Sequence, residues 1–281
     1  MTWFLDLRAD SAGGNPAREV TVWRDGSILT GTDRFVEEVR GRDVLLGTHG
    51  FNVNRKDGIE SLSTWGMLLQ LGDNALFVGV LWPGDSRWLP VVDYPFEGGE
   101  ARDSGRLLAP FLDTHFGVAA SISFVSHSLG ARMVLETVHQ LRMRVRRLTL
   151  MAGAIEDNSL IREFWDVPAK VDEISVLASR EDSVLKLAFP VGNTLGGILY
   201  RGHPYWRGAL GLDGPDGPLP GHLRPGWQIP DNWDYGHGDY LGKAAPPPLS
   251  PPVNVPPEGT PRPNLKSAWS AALVSTRFQR R

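Results

Sequence analysis

The fold of this protein is decided by the stretch SISFVSHSLGARMVL, residues 121–135. A short apolar run, 121–125, leads through a tight turn into a stretch with helical periodicity that extends from 129 to 143. Ser128 lies at the corner between them. A serine in a strand–turn–helix junction is typical of a nucleophile elbow, in which a strained turn lifts the hydroxyl above the sheet. The junction therefore predicts that Ser128 is a nucleophile.

The residues around Ser128 fit such an elbow with one departure. Strand and helix pass closely at this point, so the positions two before and two after the serine must be small. Gly130 meets this requirement, and Ser126 stands where glycine is expected. The alternative interpretation is that Ser128 merely caps the following helix. In the elbow, the helix N-terminus also places the amide of Leu129 where an oxyanion would form.

The rest of the first two thirds of the chain alternates short apolar runs with helical patterns. Such alternation is typical of βαβ units and predicts an α/β fold, with a mostly parallel twisted sheet and helices on both faces. Continuous apolar runs suit parallel strands, since these are buried on both faces. The predicted strands are 3–8, 19–23, 44–49, 75–82, 121–125, 148–152 and 174–178, and the predicted helices are 57–71, 100–116, 129–143 and 158–165.

The C-terminal third has a different composition. Residues 192–242 are rich in glycine and aromatic residues, which predicts long loops over the sheet and a weakly marked last strand. We predict a domain over 1–243, a proline-rich extended linker over 244–264, and a short basic amphipathic helix over 265–281. This tail is expected to dock on its own or another subunit, or to make peripheral contact with a membrane surface.

Composition narrows the possible functions. The 281 residues are 41% hydrophobic with a formal charge of −3, which describes an ordinary globule and gives no reason to expect a nucleic-acid partner. There are no cysteines, and no His-Glu-x-x-His spacing occurs, so we predict no metal and no cofactor. No apolar run reaches about 18 residues, and the N-terminus lacks a basic signal region, which predicts a cytoplasmic protein.

A second motif, GTHGFN at 47–52, follows an early predicted strand. A His-Gly pair in this position commonly begins the loop that donates the second oxyanion N–H group. The donors would then be the amides of Phe51 and Leu129. His49 is expected to brace this loop and not to act in catalysis.

A nucleophilic serine needs a base, and the base needs an orienting acid. In α/β folds with a nucleophile elbow, the chain order is serine, acid, histidine, and the acid comes just after a later strand. Asp182 and Glu181 both follow the strand predicted over 174–178, and we favour Asp182. Glu156 and Asp157, after the preceding strand, are weaker candidates because they are also suited to capping a helix.

Three histidines follow this acid, namely His203, His222 and His237. We favour His237 as the base, because its flanking glycines permit a loop that reaches down to Ser128. His127 is adjacent to the serine but points away from it in an elbow, so it is not the predicted base. It is instead a candidate for substrate contact.

Aromatic residues lie at the end of the strand predicted over 75–82 and in the stretch after it. Ligands bind at the carboxyl ends of the strands in open α/β sheets, so Trp82 and Tyr94, with Trp88 and Phe96 nearby, are candidates for a substrate pocket. The alternative is that they are ordinary core residues.

Taken together, GTHGFNV at 47–53, LWPGD at 81–85, SHSLG at 126–130 and SVLASREDSVL at 175–185 resemble a bacterial α/β-hydrolase group known as the DUF900-like family. The resemblance covers about residues 40–240. It implies the α/β-hydrolase fold and a serine–acid–histidine triad, and its acid-bearing segment supports Asp182. Ser126 departs from the glycine that the wider pattern has.

These observations predict a serine hydrolase that cleaves carboxylic esters through an acyl-enzyme. Its partner would be a small-molecule ester, with Ser128 as nucleophile, His237 as base and Asp182 as orienting acid. Two alternatives stay open. An acyltransferase would use the same three residues, and a binding or scaffold protein could use a hydrolase fold without catalysis.

Overall fold

The computed structural model describes residues 2–11, 14–85, 94–187, 208–241 and 252–280, with the side chains of 94–98 excepted. Its centre is an eight-stranded sheet with the strand order β3-β2-β1-β5-β4-β6-β7-β8. The strands are β1 Trp3–Arg8, β2 Pro16–Arg24, β3 Ser27–Ile28, β4 Asp43–Thr48, β5 Ala75–Leu81, β6 Ser121–His127, β7 Val145–Met151 and β8 Val171–Leu177. The predicted mostly parallel sheet is confirmed, because only the pairings of β2 with β1 and with β3 are antiparallel.

Helices cover both faces of this sheet, as predicted. Successive strand residues point to opposite faces. In β1, Phe4 clusters with Leu62 of one helix, whereas its neighbour Trp3 contacts Phe35 of another, with ring centroids 5.2 Å apart. The helices are α1 Asp33–Val39, α2 Arg55–Leu68, α3 Tyr94–His115, α4 Gly130–Gln140, α5 Val167–Lys170, α6 Leu210–Asp213 and α7 Lys266–Gln279.

The helix predicted over 158–165 is wrong. The chain forms consecutive turns there, and α5 begins only at Val167. The carbonyl of Asn158 accepts from two successive amides, and the amide of Phe164 donates to Ser159, five residues back. These spacings do not repeat the four-residue period of an α-helix, and a segment this short has little cooperative stability of its own.

The C-terminal helix α7 differs from the predicted separate tail. It is buried nearly all round, including the side chains of Trp269, Leu273 and Phe278, which belong to the main hydrophobic core. Its Ser275 accepts a hydrogen bond from the amide of Gln70, just after α2, at 3.0 Å. The apolar residues that would meet a membrane surface or another subunit are therefore covered by this chain's own domain.

The segment before α7 also contacts the domain. Residues 252–264 contain neither helix nor strand, and 242–251 lie outside the described residues. Thr260 in this segment accepts hydrogen bonds through its carbonyl from the side chains of Asn232 and Trp233.

The predicted glycine-rich loops are present over 208–241, with the short helix α6 and two 3-10 turns, Asp231–Trp233 and His237–Asp239. Two isolated parallel bridges, at Leu223 and Gln228, run beside β8 in place of a full last strand.

Among the described residues, no helix is long and apolar enough to cross a membrane.

Candidate active site

Ser128 lies in a strained turn between β6 and α4. Its φ is +54°, in the left-handed region that non-glycine residues rarely adopt. The turn is held from both sides, because the Ser128 amide donates to the Met151 carbonyl at 3.0 Å and the Ser128 carbonyl accepts from the amides of Ala131 and Ala154 at 3.1 Å. Such strain persists only where the surroundings fix it. The backbone thus has the geometry expected of an elbow.

Two glycines allow the chain to pass close to this turn. A Cβ added at Gly130 would lie 2.4 Å from the carbonyl oxygen of His49, so α4 can begin here only without a side chain. A Cβ added at Gly50 would lie 2.7 Å from Cβ of Ser128. The loop after β4 therefore touches the serine. Ser126, the departure from the expected glycine, is fully buried and its small side chain is accommodated.

The structure brings Ser128, His237 and Asp182 together in one hydrogen-bonded chain. Nε2 of His237 lies 2.8 Å from Oγ of Ser128, and Nδ1 lies 2.7 Å from Oδ2 of Asp182. The carboxylate accepts only, so the Nδ1–H group donates to it and Nε2 accepts from the serine hydroxyl. This is the arrangement in which an imidazole can remove the serine proton.

The position of Asp182 is fixed by local structure. It follows β8 and is fully buried, and its Oδ1 accepts from the amide of Leu185 at 3.0 Å, which caps the helical residues 183–187. One oxygen thus holds the helix and the other holds His237. The neighbouring Glu181 instead forms a surface ion pair with Lys186 at 3.7 Å.

The other candidates lie elsewhere. His222 is exposed, and its carbonyl accepts from the amide of Ile174 in β8. Glu156 pairs with Ala209 in an isolated bridge. Asp157 is in the turn that follows, where its amide donates to the Gly208 carbonyl. His203 lies outside the described residues.

His49 braces the loop after β4, as expected from the sequence. The Trp82 amide donates to its Nε2 at 3.3 Å, so in the neutral ring Nδ1–H donates to the Gly50 carbonyl at 2.9 Å. Burial lowers the pKa of His49 to about 4, which keeps the ring neutral and this pairing intact near neutral pH.

The His49 pairing predicts a pH-dependent stability. The folded-state pKa lies below the unfolded value, so only the unfolded chain binds this proton between about pH 6.5 and pH 4, and stability falls as the pH is lowered through that window. For His49→Gln, we expect the loss of unfolding free energy between pH 7 and pH 4.5 to be about 2 kcal/mol smaller than in the wild type. Urea unfolding at both pH values measures this. Equal losses in the two proteins would contradict the assignment.

Trp82 was predicted to line a substrate pocket, but in the structure it lies in the core. It is fully buried, its indole stacks on the His49 ring with centroids 5.8 Å apart, and its Nε1–H donates to the His49 carbonyl at 3.0 Å. Its contacts are those of a core residue that supports the loop. Tyr94, Trp88 and Phe96, the other aromatic candidates, have side chains outside the described part.

Arg8 is a supporting residue that the sequence reasoning missed. Its buried guanidinium donates to the carbonyls of Val53 at 2.9 Å and Trp82 at 2.7 Å, and it pairs with Asp85. It therefore ties the loops after β4 and β5 to the end of β1. A charged residue within the apolar run 3–8 was the available signal, but a strand-end charge has many uses.

His127 also differs from the predicted substrate contact. Its Nε2–H donates to the carbonyl oxygen of His237 at 2.8 Å, and the two rings lie 4.8 Å apart. Burial and the nearby His237 lower the pKa of His127 to about 3, so the ring stays neutral. The contacts of His127 fix the backbone of the histidine that faces Ser128.

In the parts of the chain that the structure describes, no three His, Asp or Glu side chains are grouped so that they could hold a metal ion.

A mostly parallel sheet with a strained serine after a central strand is the fold of the α/β-hydrolases. The sequence matches the model of a family described as "Alpha/beta hydrolase of unknown function (DUF900)" over residues 27–210. The chain belongs to this family. The matched range includes Ser128 and Asp182 and ends before His237.

Two of the solved structures to which this chain is similar are described as an esterase and a hydrolase. The esterase PE8 is 16% identical, with 71% of this chain and 86% of that chain covered and a TM-score of 0.38. A predicted CIB-like hydrolase from Thermoplasma acidophilum is 15% identical, with 76% and 82% covered and a TM-score of 0.38. A comparison with curated proteins finds no match to this sequence.

Proposed function

We propose that this protein hydrolyses carboxylic esters through an acyl-enzyme on Ser128. The observation that carries the proposal is the continuous chain from Ser128 Oγ through His237 to Asp182, at 2.8 and 2.7 Å. The strained backbone of Ser128 and the fold of the family to which the chain belongs also support the proposal. The substrate would be a small-molecule ester whose acyl group reaches the serine.

The residues present can perform each proton transfer. His237 Nε2 accepts the proton as Ser128 Oγ attacks the ester carbonyl, and Asp182 stabilises the resulting imidazolium. His237 then returns the proton to the leaving alcohol, and the acyl-enzyme forms. A water molecule, deprotonated by His237, attacks the acyl carbon, and His237 returns this proton to Ser128 Oγ as the acyl–serine bond breaks and the acid leaves.

The oxyanion would be held by the amides of Phe51 and Leu129. Leu129 is the N-cap residue of α4, so its amide lies at the positive end of the helix dipole. The close approach of Gly50 to Ser128 supports a role for the next amide, that of Phe51. Removing one such donor typically costs about 10²–10³ in rate.

A fluorophosphonate probe tests the proposal directly. We expect a single covalent adduct, which peptide mass spectrometry would locate on Ser128, and hydrolysis of p-nitrophenyl esters that stops as the adduct forms. A folded protein that takes no adduct on Ser128 would refute the proposal. Product analysis with added alcohols separates hydrolysis from acyl transfer, since a transferase would form a new ester.

Asp182→Asn tests the role of the acid. An asparagine keeps the shape but favours the wrong tautomer of His237, so kcat is expected to fall by about 10⁴. Steady-state hydrolysis of p-nitrophenyl acetate measures this. The matched control is Glu181→Gln, which removes the adjacent carboxylate from a surface ion pair and should retain wild-type activity. Comparable losses in both variants would contradict the assignment of Asp182.

A further inference from the structure

The loop that carries His237 is held mainly by contacts outside itself. We define residues 234–240 as the histidine loop. His237 stands between Gly236 and Gly238, and glycines leave a backbone conformationally free in the absence of contacts. Within the loop, the Gly236 amide donates to Oδ2 of Asp239 at 2.8 Å. From the elbow side, His127 donates to the His237 carbonyl.

The start of α7 provides several further contacts. The Lys266 ammonium donates to the Asp234 carbonyl and pairs with Oδ2 of Asp239 at 2.8 Å. This oxygen is the one that also accepts from Gly236, so a single carboxylate joins the lysine to the backbone beside His237. The Tyr235 hydroxyl donates to the Lys266 carbonyl at 2.8 Å.

Two further residues of α7 hold the ends of the loop. The Ser270 hydroxyl donates to the Tyr240 carbonyl at 2.9 Å. Trp269 packs edge-to-face on Trp233 and Tyr235, with ring centroids 5.0 and 5.8 Å apart. The first turn of α7 is therefore in contact with the histidine loop from Asp234 to Tyr240.

We infer that Lys266 is a positioning residue for the general base, so that α7 sets the reactivity of Ser128 through the histidine loop. This inference rests on the proposed function. An exposed ion pair contributes little to global stability, but Lys266 is four-fifths buried and acts on a glycine-flanked loop. Because catalysis requires close alignment, a shift of about 1 Å in such a group can cost about 10² in rate.

Lys266→Met tests the inference, since it removes the ammonium and keeps the length of the side chain. We expect kcat to fall about 10- to 100-fold with KM within about twofold of the wild type. Labelling of Ser128 by the fluorophosphonate should slow in parallel. In proton NMR, the His237 Nδ1–H signal, which depends on the bond to Asp182, should broaden. Lys266→Arg should restore part of the rate.

Ser275→Ala is the matched control, because Ser275 docks the same helix at its other end, on Gln70. It should lower the melting temperature about as much as Lys266→Met, with kcat and the NMR signal unchanged. Asp239→Asn removes the charge that Lys266 contacts and should reproduce the Lys266→Met effect. The inference is overturned if Lys266→Met and Asp239→Asn label and turn over as fast as Ser275→Ala.

The two proposals fail in different ways. If the wild type itself takes no adduct on Ser128, the proposed function is wrong. If the wild type is labelled at full rate and the variants at Lys266 and Asp239 are labelled equally fast, only the role of Lys266 is wrong.

Discussion

Ser128→Ala is expected to lower kcat for p-nitrophenyl esters by about 10⁶-fold. Without Oγ no acyl-enzyme can form, and only catalysis by the oxyanion donors and by substrate binding remains. The melting temperature should change little, because alanine and serine have similar difficulty in adopting the left-handed backbone at this position. Initial rates and thermal unfolding of the two proteins measure both expectations.

The control for this variant is Ser126→Ala, two residues earlier, near the end of β6. Ser126 is buried, and its hydroxyl has no hydrogen-bond partner among the described residues, so its loss should leave the rate within a fewfold of the wild type. Substantial turnover by purified Ser128→Ala would show that a different group reacts with the ester.

Removing residues 265–281 is expected to abolish folding and activity together. The deletion takes four large buried side chains, those of Trp269, Leu273, Val274 and Phe278, out of the core. Each contributes about 1.5–3 kcal/mol by burial. Their sum, roughly 6–12 kcal/mol, is comparable with the total stability of a typical protein, about 5–15 kcal/mol.

Circular dichroism and ester hydrolysis by the truncated chain measure the outcome. A cooperative melting transition with retained activity would show that the end of the chain is a separate module, as the composition of residues 244–281 suggests. The full-length chain with Ser275→Ala serves as the comparison, since it loosens the same helix without removing it.

The sheet and the elbow at the carboxyl end of β6 were predictable because their signals are local. The apolar run 121–125, the corner at Ser128 and the helical pattern that follows are adjacent in sequence, and each has a direct structural meaning. The choice of Asp182 and His237 depended on chain order, which the fold constrains. The structure brings these residues together; their catalytic roles are a proposal that the variants above test.

Supporting contacts were not predictable in the same way. Arg8 meets Asp85, 77 positions later, and Lys266 meets Asp239 across the proline-rich segment. Neither pairing leaves a periodic or compositional signal in the sequence. An arginine or lysine that makes such a contact looks the same there as one that lies on the surface. Such contacts appear only once the strands and loops have been placed.

Docking of the C-terminal helix on its own subunit was one of the expectations, but the burial of α7 on nearly all sides was not predicted, for a related reason. The apolar residues of 265–281 were counted as one face of a basic amphipathic helix, which leaves a polar opposite face. That second face contains Ser267, Ser270, Ala271 and Ser275, which are small enough to pack closely, and all four are buried. Small residues in a helix permit close approach without any hydrophobic signal.

The contact between α7 and the histidine loop also bears on the order of synthesis. A ribosome adds residues from the N-terminus onward, so Ser128, Asp182 and His237 all emerge before Lys266. A nascent chain therefore contains the three proposed reacting groups before it contains the helix that is proposed to align them. Esterase activity is expected to arise late, after α7 has left the exit tunnel, so that a partly made chain carries an unaligned serine.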